Sequence, residues 1–105
     1  MKSRLTMLAG AFVLSLSTAT LAAPPTIHER MDHMEVRIER GIKSGDLTRR
    51  EAEGLRNELR AIKQREERMR ADGRLSERER AKLHEDLDRL DRHITREKRD
   101  DRRRR

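Results

Sequence analysis

The chain has 105 residues, with 27 Lys or Arg, 20 Asp or Glu and a formal net charge of +7. A chain of this length forms at most one small domain, which excludes a large enzyme core. It has no Cys, Trp or Tyr and a single Phe, Phe12, which excludes disulfides and leaves residues 23–105 without an aromatic side chain to stack on bases.

Residues 1–22 have the three-part layout of a secretory signal peptide. A basic start precedes an apolar run over 5–16, and small residues follow it. This run is shorter than the roughly 20 apolar residues that span a bilayer. We therefore expect cleavage after Ala22 and release of residues 23–105 into the bacterial periplasm, with no membrane anchor.

The exported part has the pattern of amphipathic helices. Its apolar residues recur at steps of three and four, which is heptad spacing. Gly45 and Gly73 favour helix ends, and Thr48 and Ser76 favour the next helix starts because each has a Glu three residues later, forming a capping box. The sequence predicts helices at about 26–43, 49–71 and 77–98.

The spacing of the apolar residues also predicts how the helices pack. If both hairpins close on the same stripe of the middle helix, four layers form: Ile27/Ile62/Leu83, Met31/Leu59/Leu87, Met34/Leu55/Leu90 and Ile38/Ala52/Ile94. The predicted fold is all-α, an antiparallel three-helix bundle over 23–98 with a coiled-coil-like stripe. A basic C-terminal tail, 99–105, follows it.

The tip of the second hairpin, 63–80, extends beyond these layers. Glu66 and Arg80 are predicted to face each other there, where a polar pair sets register more than it stabilises. Together with Met69 and Leu75 they are candidate partner-binding residues. The thin core indicates either self-association through this tip, as in a homodimer, or a bundle that becomes ordered on a partner.

Two further groups are candidates for binding. The terminal arginines suit an anionic membrane or lipopolysaccharide surface, whereas the expected export argues against nucleic acid; they are Arg102, Arg103, Arg104 and Arg105. The first helix carries weaker candidates for copper or zinc, namely His28, Met31, His33 and Met34. Because His28 and His33 are 140° apart around a helix and the methionines fall on the core stripe, the predicted metal set and cofactor set are both none.

Two turn motifs carry a family resemblance. Leu-Thr-Arg-Arg-Glu at 47–51 and Leu-Ser-Glu-Arg-Glu at 75–79 resemble the paired Leu-Thr-x-x-Gln motifs of the periplasmic Spy- and CpxP-like envelope-stress family. Glu stands in place of Gln in both, and Ser in place of Thr in the second. The resemblance implies a small, secreted, all-helical and highly charged protein with a chaperone or sensor-inhibitor role.

The sequence favours a binding role over catalysis. It shows no nucleophile paired with a base and no Gly-rich phosphate loop. We therefore expect a non-enzymatic periplasmic binding protein, chaperone-like or stress-related, whose clients are unfolded or helical proteins. The alternatives are a protein that responds to copper or zinc, and a binder of anionic envelope surfaces through the arginine tail.

Overall fold

The computed structural model describes residues 23–105 and the isolated positions 10 and 15. Within these residues the chain forms three α-helices and no strand: α1 (Ile27–Ser44), α2 (Arg49–Arg70) and α3 (Glu77–Arg104). The predicted signal peptide lies outside the described residues, apart from those two positions. None of the described helices is long and apolar enough to cross a membrane.

Each helix begins at a capping box. The N-cap hydroxyl groups of Thr26, Thr48 and Ser76 accept a hydrogen bond from the backbone N–H three residues later, and the Glu at that position accepts one from the N-cap N–H. These bonds satisfy backbone donors that have no partner within the helix. α1 ends at Gly45, which adopts the left-handed conformation with φ 78°.

The core is a single cluster of buried apolar residues. All the members of the four predicted layers are buried. Leu47 and Leu75, from the two turns, join the same cluster at 3% and 7% exposure. The turns therefore close both ends of the core.

Ion pairs between helices show how the three helices are aligned. Arg30 of α1 pairs with Asp88 of α3 at 2.5 Å, and Arg37 pairs with Asp91. The paired residues advance in the same direction along both helices, so α1 and α3 run parallel. α2 runs antiparallel to α1, because Glu39 pairs with Arg56 at 2.6 Å whereas the earlier Glu35 pairs with the later Lys63 at 3.1 Å.

α3 is longer than the sequence predicted, ending at Arg104 rather than near 98. Its last turns lie beside the α1–α2 turn, where Arg102 donates a hydrogen bond to Asp46 at 2.8 Å. Arginines at the end of a helix also interact favourably with its dipole. Most of the predicted tail is thus helix, because tertiary contacts hold it and its charges suit a helix end.

Candidate functional site

The four candidate metal ligands are separated by the fold. Met31 and Met34 lie in the core, whereas His33 is exposed. The Nε2 atom of His28 lies 2.9 Å from a carboxylate oxygen of Glu66. Within the described residues, no group of three or more His, Asp or Glu side chains is arranged to hold a metal ion.

The hairpin tip differs from the sequence prediction at Glu66. This residue is buried and pairs with His28 of α1 and with Arg70, one turn later on α2; no ion pair with Arg80 forms among the described residues. Burial raises the pKa of Glu66, but hydrogen bonds from Arg70 and His28 outweigh it, so that the pKa lies below its usual value. The first turn of α1 therefore reaches this carboxylate, although the predicted layers place no third helix over it.

The other two candidate residues of the tip offer little apolar surface. Leu75 is buried and Met69 is half-buried against the core. Among the described residues the large hydrophobic side chain with substantial exposure is Val36, at 44%. The apolar stripe is therefore enclosed by the bundle.

A cavity of about 380 Å³ lies at the same end of the bundle. Its charged and polar walls come from all three helices, and its lining consists of Pro24, Pro25, Thr26, Ile27, His28, Arg70, Arg80 and His84. The Nδ1 atom of His84 lies 2.9 Å from a guanidinium nitrogen of Arg30. Arg80 thus lines this cavity and forms no ion pair with Glu66 among the described residues.

Two residues of the predicted basic tail are held by the α1–α2 turn. Arg102 and Arg105 both pair with Asp46, and Arg105 also donates a hydrogen bond to the carbonyl oxygen of Gly45. The hydrogen bond from Arg102 lowers the pKa of Asp46 to about 2. These two arginines therefore have a structural role, which the run of like charges in the sequence could not show.

Three carboxyl groups meet where α3 passes the start of α2. The carboxyl group of Glu51 neighbours those of Glu97 and Asp101; it raises the pKa of both, and its own pKa is lowered to about 2. His93 contacts this group through Glu97, at 3.1 Å. One oxygen of Asp101 is buried without a hydrogen-bond partner among the described residues. The three carboxyl groups therefore titrate as a coupled set.

Four basic residues of α3 form a surface of which the sequence had singled out only Arg103. Arg92, Arg96, Arg99 and Arg103 are exposed and follow each other at steps of four, three and four, on the side of α3 opposite the core. We name these four residues the arginine face. None of them forms an ion pair with a carboxylate in the described part of the chain. Applying the helical period to charged residues as well as apolar ones would have found it.

Comparison with known proteins adds no assignment: no protein-family model, curated protein or solved structure matches the chain.

Proposed function

We propose that this chain is a non-enzymatic helical binding protein, exported to the bacterial periplasm, that meets its partners through charged helix faces. One observation carries the proposal: the apolar stripe is enclosed, whereas the arginine face is exposed and without acidic partners in the described residues. Surfaces of this kind act by electrostatic complementarity.

A chaperone-like role is the form of this proposal that the family resemblance favours. Protein clients would bind either to the charged exterior of the closed bundle or to the apolar stripe after the helices separate. The thin core favours separation, since three helices share one narrow seam of buried side chains. The exposed charges favour binding to the closed form. A covalent lock across the bundle distinguishes these two modes.

The lock joins α1 to α3. Arg37 and Asp91 contact each other across these helices, and the chain has no natural Cys. The double variant Arg37→Cys/Asp91→Cys is therefore joined by a short bismaleimide, and the same variant capped with N-ethylmaleimide is the control. Thioether links survive dithiothreitol, so aggregation of insulin reduced by dithiothreitol is a suitable assay for both forms.

We expect wild type, locked and capped forms to slow this aggregation equally, with an effect that weakens as salt is added. Activity in the capped form but not in the locked form would assign the clients to the separated helices instead. If the wild-type chain at equimolar amounts did not slow aggregation, the chaperone-like role would be rejected.

A further inference from the structure

We propose that the arginine face binds the phosphate groups of an anionic lipid bilayer. This inference builds on the proposed non-enzymatic binding role and names a partner for one surface. It concerns Arg92, Arg96, Arg99 and Arg103 on the helix, of which only Arg103 belongs to the terminal run from which the sequence alone predicted surface binding.

The charge of the exported part is confined to one end of α3. Residues 23–91 contain 17 basic and 17 acidic residues, so their net charge is zero. Residues 92–105 contain 8 basic and 3 acidic residues, which gives +5. Because the rest of the bundle is neutral, an anionic surface attracts the molecule by this end and thereby orients it.

Equivalent positions on the three helices show that the arginine face is specific to α3. The positions two residues after each core position point away from the core. In α1 they hold Glu29, His33, Val36, Arg40 and Lys43; in α2 they hold Gly54, Asn57, Ala61, Gln64, Arg68 and Ala71. In α3 they hold Glu85, Arg89, Arg92, Arg96, Arg99 and Arg103. An ordinary solvated helix face is mixed, as in α1 and α2, whereas this one is arginine over its last five positions.

Structural roles account for other arginines of α3 and for Arg103, but not for Arg92 and Arg96. Arg102 and Arg105 bind Asp46, and Arg89 lies 3.3 Å from Glu85. The helix dipole favours cations within the last turn, which covers Arg103. Arg92 and Arg96 lie two turns or more before the helix end, so the dipole does not explain them.

The shape of the arginine face suits lipid phosphates. At about 1.5 Å per residue the row from Arg92 to Arg103 is about 16 Å long. A groove of about 350 Å³ runs beside it, lined by Arg89, Arg92, Arg96 and Arg99 together with Asp91 and Thr95. Asp91 is already neutralised by Arg37. Guanidinium groups bind phosphate oxygens through two parallel hydrogen bonds, and mobile lipid headgroups can gather beneath a fixed row of cations.

A bilayer fits these features better than a nucleic acid does. Residues 23–105 contain no aromatic side chain that could stack on a base. The exposed side of α3 also lacks large apolar residues that would insert between acyl chains or bases. Binding should therefore be electrostatic, reversible and confined to the headgroup region.

Sedimentation with vesicles tests this proposal, using the chain that begins at Ala23. Vesicles of phosphatidylglycerol and phosphatidylcholine are compared with vesicles of pure phosphatidylcholine, at low and high salt. The test variant replaces the arginine face by glutamine: R92Q, R96Q, R99Q and R103Q. The control removes the same charge from exposed arginines elsewhere: R40Q, R50Q, R68Q and R74Q. Circular dichroism checks that both variants remain helical.

We expect the wild-type chain to bind the anionic vesicles only, and high salt to release it. The test variant should lose affinity about a hundredfold and the control variant less than about threefold. Equal losses of affinity in the two variants would overturn the proposal, because net charge alone would then determine vesicle binding. Tighter binding to duplex DNA than to vesicles at equal phosphate concentration would also overturn it. None of these outcomes depends on whether the chain slows insulin aggregation.

Discussion

Gly41 has no side chain, and the space this leaves lets Leu47 close one end of the bundle. Gly41 is buried in α1, and the N–H of Leu47 donates to its carbonyl oxygen at 2.9 Å. A Cβ atom at Gly41 would lie 2.7 Å from Cγ of Leu47 and closer still to its Cδ1. Glycine at this position therefore allows Leu47 to fold back onto the core.

Replacing Gly41 by alanine should destabilise the protein, although alanine favours helices. Overpacking costs roughly 1–3 kcal/mol, and the gain in helix propensity is about 1 kcal/mol, so we expect the free energy of unfolding to fall by about 1 kcal/mol. Gly54→Ala is the matched control: no atom of the described residues lies within 4 Å of its Cβ position, and its free energy of unfolding should rise by about 1 kcal/mol. Urea denaturation measures both. Equal stabilisation by the two variants would contradict the packing of Leu47 on Gly41.

At the scale of the helix, the last turns of α3 depend on two contacts with opposite responses to pH. The pKa of Asp46 is lowered, so its ion pairs stabilise the fold at neutral pH. This stabilisation is lost as the pH falls towards about 2. The pKa of Glu97 is raised by the neighbouring Glu51 carboxyl group and by burial. Protonated Glu97 therefore stabilises the fold at acidic pH, and this stabilisation is lost as the pH rises through the raised pKa.

Glu97→Gln should remove the loss of stability that ionisation of Glu97 causes as the pH rises. The amide donates a hydrogen bond to Glu51 at every pH, so the melting temperature should rise at about pH 8 and change little at about pH 4. Glu67→Gln, at an exposed position of α2, is the control and should alter neither value. Thermal melts followed by circular dichroism provide the measurement. A variant that melts below wild type at about pH 8 would show that Glu97 is held by His93 rather than repelled by the neighbouring carboxylates.

At the scale of the whole molecule, stability rests on one thin core that all three helices share. Leu87 is fully buried at the centre of α3, within the core cluster that also contains Met31 and Leu59. A cavity at this position removes contacts to both neighbouring helices. Because the bundle has no second core among the described residues, local damage there should weaken the whole fold.

Leu87→Ala should therefore lower the free energy of unfolding by about 2–5 kcal/mol. Val36→Ala removes a side chain that is 44% exposed and should change it by less than about 0.5 kcal/mol. Urea denaturation followed by circular dichroism measures both variants. A small effect of Leu87→Ala would mean that α3 does not pack into a closed bundle in solution.

Much of the fold could be predicted from the sequence, because its signals are local. The starts of α2 and α3 follow from Thr48 and Ser76, whose hydroxyl groups cap backbone N–H groups a few residues away. The buried layers follow from the helical period of the apolar residues. Both properties belong to short stretches of chain, so they can be recognised without knowing which helices pack together.

The sequence by itself thus determined three helices, their starts and the twelve residues of the predicted layers, together with the excess of arginine near the C-terminus. Only the tertiary structure decided that Glu66 pairs with His28, that Asp46 holds the end of α3, and that the arginine face has no ion-pair partner among the described residues. The physical reason is that a charged side chain acts through whatever lies within a few ångströms of it. Those neighbours come from other helices, and the order of residues along one helix does not reveal them.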